Sequence, residues 1–245
     1  AINSILNIAV QTALKLDVVK NNVGELPTAD LSDFSWAKEF ENIIDIYETF
    51  QGLEITSLSN IDIKALVTEI VNDEDKLQIV VDIVKQVTEL QLVNKVGYDA
   101  LVGYVSNMSH VVNAGDDVVK AVKDLKDVNW SNDINIYVEA AIEALPLIEI
   151  GDGLKINVDY LNLDVDTIRN VLDILFTTES FEKLLPVGAS IGLNIALSNE
   201  KVIGFLGDIK VELDTSAINW KQELTTLVDA YDEFQNLGIK ELNKE

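Results

Sequence analysis

The chain has 245 residues, 48% of them hydrophobic, and its 42 acidic side chains against 18 basic ones give a formal charge of −24. That balance excludes nucleic acid and anionic membrane surfaces as partners, because a polyanion is held by lysine and arginine that displace its counterions, while the apolar content excludes a disordered acidic tail. The absence of cysteine removes disulfides and thiolate metal sites, and the length suffices to bury a core without such staples.

In chain order, Ile2, Ile5, Leu6, Ala9, Val10, Ala13 and Leu14 recur at helical spacing and predict a packed helix. The stretch FSWAKEFENIIDIYETF from Phe34 follows. Ser35 is a good N-cap before Trp36, Glu39 lies near the positive end of the helix dipole, and Phe40, Ile43, Ile44 and Tyr47 form one apolar stripe. Gly52 stands where a left-handed C-cap would close that helix. Ile61 to Val81 reads as two amphipathic helices with a break at Asn72-Asp73-Glu74-Asp75. Val96 to Val105 predicts a further helix, and Asp116 to Leu125 a short one with Val118, Val119, Val122 and Leu125 inward.

The stretch VNWSNDINIYVEAAIEA from Val128 then restates the earlier one. Asn129 caps, Trp130 and Asp133 follow, Ile134, Tyr137, Val138 and Ala141 make the stripe, and Pro146 ends it. Leu147 to Val158 alternates apolar and polar residues about Gly151-Asp152-Gly153, the pattern of a β-hairpin. Val165 to Leu185 is again helix, break, helix, and pairs with Ile61 to Val81. Leu193 to Ala196 repeats the LNIA of Leu6 to Ala9. Ser190 to Leu197 suits strand or helix, and Asp208 to Leu213 alternates like a strand. A third copy, INWKQELTTLVDAYDEF from Ile218, sets Asn219, Trp220, Glu223, Leu224, Leu227, Val228 and Tyr231 in the same positions, with Asn236 near its end.

The three tryptophans are therefore spaced by 130 − 36 = 94 and 220 − 130 = 90 residues. This period predicts a mostly all-α, elongated array of units of about 90 residues with a hairpin inserted near 147–158. The expected divisions are 1–34, the end of a partial unit; 35–128 and 129–218, two units; and 219–245, the start of another. The chain reads as a mature protein or an excised piece of a longer array. Each Trp, beside an N-cap and above an apolar stripe, is expected to anchor the junction of one unit with the next.

Chemistry-bearing residues are few. His110 is the only histidine, with no second histidine or cysteine to complete a zinc site or a triad. Oxygen ligands cluster at Asn72 to Asp75, Asn113 to Asp117 and Asp159 to Asp166, which suits calcium, but none follows the EF-hand order and helix caps need the same residues. Arg169, the lone arginine, is expected in an ion pair, and Gly188 and Gly192 in close helix packing. The sequons at Asn107 and Asn129 matter only in a glycosylating host. No phosphate-cradling loop or nucleophile elbow occurs. No catalytic, cofactor-binding or metal residue is assigned, and no calcium site is expected. Apolar runs fall short of the roughly 20 residues of a membrane helix, so no membrane insertion is expected. The reading is a non-enzymatic spacer or protein-interaction segment of a larger repetitive bacterial surface or secreted protein, outside the cell, whose partners are another protein or neighbouring repeats. The alternative is an apolar ligand such as lipid held between amphipathic helices.

Overall fold

Each of the three tryptophans opens a long helix in the computed structural model, which describes residues 2–24, 26, 29–55, 63–150, 156–159, 161–197 and 217–237. The chain is mostly helical. Its first helices are α1 (Ile2–Leu14), α2 (Asp17–Val23), α3 (Trp36–Gln51), α4 (Ile63–Val71) and α5 (Glu74–Glu89). A helical turn from residue 91 passes through a π turn, Val93–Gly97, into α6 (Tyr98–Ser106). Then come α7 (Ser109–Ala114), α8 (Asp116–Lys123), α9 (Trp130–Ala144), α10 (Val165–Leu175), α11 (Glu179–Leu197) and α12 (Trp220–Asn236).

The helices lie in two rows. In one, α3 packs on α5, α5 on α9, α9 on α10 and α10 on α12. In the other, α1 meets α2, α2 meets α6, α6 meets α8 and α8 meets α11. Apolar clusters join the rows. Leu31, Phe34 and Trp36 are buried with Leu6 and Val10 of α1 and Leu92 against them. Val102, Leu125 and Val128 are buried with Trp130 and Leu184 against them. Leu31, Phe34 and Trp36 are matched 94 residues on by Leu125, Val128 and Trp130. Each fully buried Leu, Val or Phe in such a cluster contributes about 1.5 to 3 kcal/mol.

The faces that pack differ from those that periodicity suggested. On α1, Leu6, Val10 and Leu14 are half-buried, but Ile5, Ala9 and Ala13 are exposed. On α3 the stripe expected to face inward is bare, with Phe40 50%, Ile43 45%, Ile44 55% and Tyr47 61% exposed. The cause is position in the rows: among the described residues α3 has a neighbour in its row, α5, on one flank only. Within the first row, α10 sits between α9 and α12 as α5 sits between α3 and α9. Asp73 and Asp164 cap α5 and α10 alike.

Gly52 is not left-handed, its φ being −62°, and the positive φ falls on Glu54 at 55°. Glycine serves closeness instead, since a Cβ at Gly52 would lie 3.0 Å from Ile79 Cδ1. Gly188 and Gly192 make no close approach among the described residues, whereas a Cβ on Gly103 would fall 2.1 Å from the Val23 carbonyl oxygen. It is there that the end of α2 lies against α6. At the expected hairpin the ladder is two residues a side, β1 (Glu149–Ile150) antiparallel to β2 (Ile156–Asn157). Leu147 belongs to a 3-10 turn started by Leu145-Pro146, which shortens the first strand; residues 151–155 lie outside the described residues. Ser190 to Leu197 is helical as part of α11, and Asp208 to Leu213 lies outside the described residues.

Candidate functional site

Among the deeply buried polar residues, Glu39 and Asp133 lie at the starts of the first two Trp helices, and Thr88 and Ser180 meet residues of the second. Each start is capped alike: Ser35 accepts from the Lys38 amide, Asn129 from that of Asn132 and Asn219 from that of Gln222. At the first two, an acid one turn in then reaches across to a different helix.

Glu39 is 1% exposed. Its carboxylate accepts from the backbone amides of Gln91 at 2.9 Å and Leu92 at 3.0 Å, the first turn of the helix leading into α6, where those amides have no partner within the helix. Gln91 closes the clamp, accepting from the Ser35 amide at 3.1 Å and donating to the Ser35 carbonyl at 3.2 Å. Asp133, also 1% exposed, does the same at α11. Its Oδ2 accepts from the Ser180 amide at 2.7 Å and the Ser180 hydroxyl at 2.6 Å, and the Tyr137 hydroxyl lies 2.7 Å from the same Ser180 oxygen. A buried carboxylate is tolerated only when its lone pairs are met, and the positive end of a helix dipole adds to the attraction. The third acid, Glu223, is exposed.

Each junction within the first row has its own lock. Between α5 and α9, the Ser131 hydroxyl donates to the Thr88 carbonyl at 3.0 Å and Asn135 to the Thr88 hydroxyl at 3.3 Å. Between α10 and α12, the Leu163 amide donates to the Tyr231 hydroxyl at 3.0 Å, and Gln235 donates to the Leu163 carbonyl at 2.9 Å. Arg169 reaches Asp229 at 3.0 Å and Asp232 at 3.2 Å, and also Asp166 of its own helix at 3.3 Å. The lone arginine is thus a clasp between α10 and α12, as an ion-pair role implies.

Two of the three oxygen-rich stretches supply caps and turns. Asp73 accepts from the Asp75 and Lys76 amides, and Asn72 donates to the Thr68 carbonyl. Asp159 accepts from the Leu161 amide and Asn162, and Asp164 from the Thr167 amide and hydroxyl. The Thr167 hydroxyl, followed by its amide, holds the Asp164 carboxyl below the usual carboxylate range, and Asn162 does likewise for Asp159. In the stretch from Asn113, Gly115 takes a positive φ of 117° between α7 and α8. His110 lies in α7. The sequon residue Asn129 is the cap of α9, and Asn107 donates to the Gly103 carbonyl.

Among the described residues no three His, Asp or Glu side chains are placed to hold a metal ion, and no helix is long and apolar enough to cross a membrane. Two surface pockets are lined by described residues. One, of about 430 Å³, runs from Pro146 to Asp164 and presents Glu149, Asn157, Asp159 and Asn162. The other, of about 370 Å³, lies by Val102 and presents Asp99, Asn107, Lys123 and Lys126. Both mix charged and apolar walls, unlike a lipid cavity. Gln91 and Ser180 escaped the sequence reading because they stand 52 and 47 residues from the acids they meet, and no local pattern ties them. No protein-family model, characterised protein or solved structure matches the chain.

Proposed function

We propose that the chain is a non-enzymatic spacer and protein-interaction segment, an elongated array of units of about 90 residues whose Trp helices open successive units at Trp36, Trp130 and Trp220, with the short ladder at 149–157 as an insertion in the middle unit. The observation that carries this reading is the recurrence of one buried junction. Ser35, Trp36 and Glu39 with Gln91 are answered by Asn129, Trp130 and Asp133 with Ser180, each carboxylate closing the first turn of a helix in the other row. The packing order supports it as well, since each helix in either row touches mainly its neighbours. That is how a linear array distributes stability, through nearest-neighbour contacts rather than one central core. In a larger bacterial surface or secreted protein, such a segment sets distance and presents flanks, and its partners are neighbouring repeats or another protein. The acidic surface keeps copies apart and soluble.

Stretching the full chain between its ends tests this reading. An array releases its length in separate events of about 90 residues, each near 300 Å of extended chain. A single event that frees the whole chain at once would remove the reading.

A further inference from the structure

Among the described residues, the two ends of the first row lack a row neighbour on opposite flanks, and the contacts inside the row say what each flank receives. α9 is covered on both sides, by α5 and α10. α12 is covered on the side facing α10, where Val228 is 8% exposed, Tyr231 and Gln235 meet the Leu163 backbone, and Asp229 and Asp232 take Arg169. Counted from their tryptophans, the residues of α3 at those five positions are Ile44, Tyr47, Gln51, Asp45 and Glu48, so both acids, the tyrosine, the glutamine and the aliphatic residue are kept. On α3 all five are exposed, Ile44 at 55% and Tyr47 at 61%. Large aliphatic and aromatic groups with matched hydrogen-bonding and charged neighbours, all facing solvent, form an interface without its other half.

We infer that this flank of α3 is a docking surface for a further unit of the same kind, one that presents an α10-like helix: amphipathic, with a cation at its fifth residue and an extended segment before it whose backbone pairs with Tyr47 and Gln51. This inference rests on the unit reading above and names the partner. Charge decides against a second copy meeting the flank face to face, since Asp45 and Glu48 would then oppose themselves, while an arginine placed as Arg169 is answers both. An intact second copy cannot offer its own α10 either, because α12 already covers it.

The chain has no cysteine, so single introduced thiols report burial directly. Ile44→Cys and Val228→Cys are made in the full chain, and Ile44→Cys also in a chain lengthened by joining a copy of residues 129–187 ahead of residue 1, a register set by the shared LNIA at Leu6 and Leu193. In the full chain the thiol at 44 should react rapidly with a maleimide at every protein concentration, and the thiol at 228 slowly. In the lengthened chain, with helicity per residue unchanged by circular dichroism, the thiol at 44 should slow by at least about tenfold, as local exposure then requires an opening step. Asp45→Lys with Glu48→Lys should restore fast reaction, and Arg169→Glu in the added copy alone should bring protection back. A thiol at 44 that stays fast beside a folded added segment overturns the inference and leaves the unit reading standing. A thiol at 228 as fast as that at 44, or an added segment that does not fold, removes the unit reading and the inference together. Protection at 44 that grows with concentration in the unlengthened chain shows a second copy on the flank and also overturns the inference.

Discussion

Asp133→Ala tests the buried junction at its most enclosed point. Asp133 is 1% exposed and Ser180 0%, so water cannot replace what is lost. Two hydrogen bonds to an ionised acceptor disappear, each worth about 1.5 to 3 kcal/mol. The Ser180 hydroxyl keeps Tyr137 at 2.7 Å, but its amide is left buried and unmet, while removing the carboxylate also removes the cost of burying it. These opposing terms leave a net loss of about 3 kcal/mol. Asp133→Asn keeps one acceptor oxygen and should fall near half that loss. Glu39→Ala should cost about as much as Asp133→Ala, because Glu39 too is 1% exposed and meets two backbone amides. Glu223→Ala, at the same place in an exposed setting, should change stability by no more than about 0.5 kcal/mol. Equilibrium urea unfolding followed by circular dichroism reads all four, with unchanged slopes confirming that stability alone has moved. The reasoning is wrong if Asp133→Ala stays within about 0.5 kcal/mol of the parent, or if Glu223→Ala costs as much as the other two alanine changes.

Trp130→Ala removes an indole that donates to the Leu125 carbonyl at 2.9 Å, stacks on Tyr98 at 6.4 Å and packs on the Val102, Leu125 and Val128 cluster. It should cost about 3 kcal/mol and split unfolding, followed by probes on either side, into two transitions; a single transition at the parent midpoint, or emission like that of indole in water from a variant keeping only Trp130, would contradict the junction role. Asp164 tests the pH side. Its carboxyl titrates below the usual range in the folded chain, so its contribution is complete above the ordinary carboxylate range and fades as pH falls through the lowered native value. Thr167→Val takes away the larger cause and should move the Asp164 midpoint, followed by carbon-13 NMR, upward toward the ordinary value. An unmoved midpoint would show that the hydroxyl does not set it.

What could be read from the residues divides by range. The three caps were legible because an N-cap acts on an amide three residues away, so Ser35, Asn129 and Asn219 announce their helices locally. The inward set Val118, Val122 and Leu125 was legible for the same reason, helical spacing on one short segment. Periodicity names the apolar face of a helix but not whether a neighbour stands beside it, which is why the stripe on α3 was expected inside and is found outside. The like placement of α5 and α10 was also hidden. It is fixed by position between neighbours, and α4, which lies between α3 and α5 in the chain, has no counterpart between α9 and α10 among the described residues. Gly103 gave no local signal, since its need comes from Val23, 80 residues earlier in the chain.

The junction chemistry also sets where the chain can be divided. A cut just before each tryptophan follows the sequence period, yet it severs α9 from α5, parting Ser131 and Asn135 from Thr88. A cut after α5 would keep that flank of α9 bare and would separate Glu39 from the amides of Gln91 and Leu92. Every possible break between the first and last Trp helices thus leaves either a buried carboxylate without its helix or a helix flank without its neighbour. Helices that share their closing contacts in this way cooperate with those beside them, since opening one junction strands polar groups on both sides of it. The spacing of the tryptophans and the boundaries of cooperative unfolding need not coincide, and the carboxylates at 39 and 133, reaching forward 52 and 47 residues to Gln91 and Ser180, are what hold the two apart.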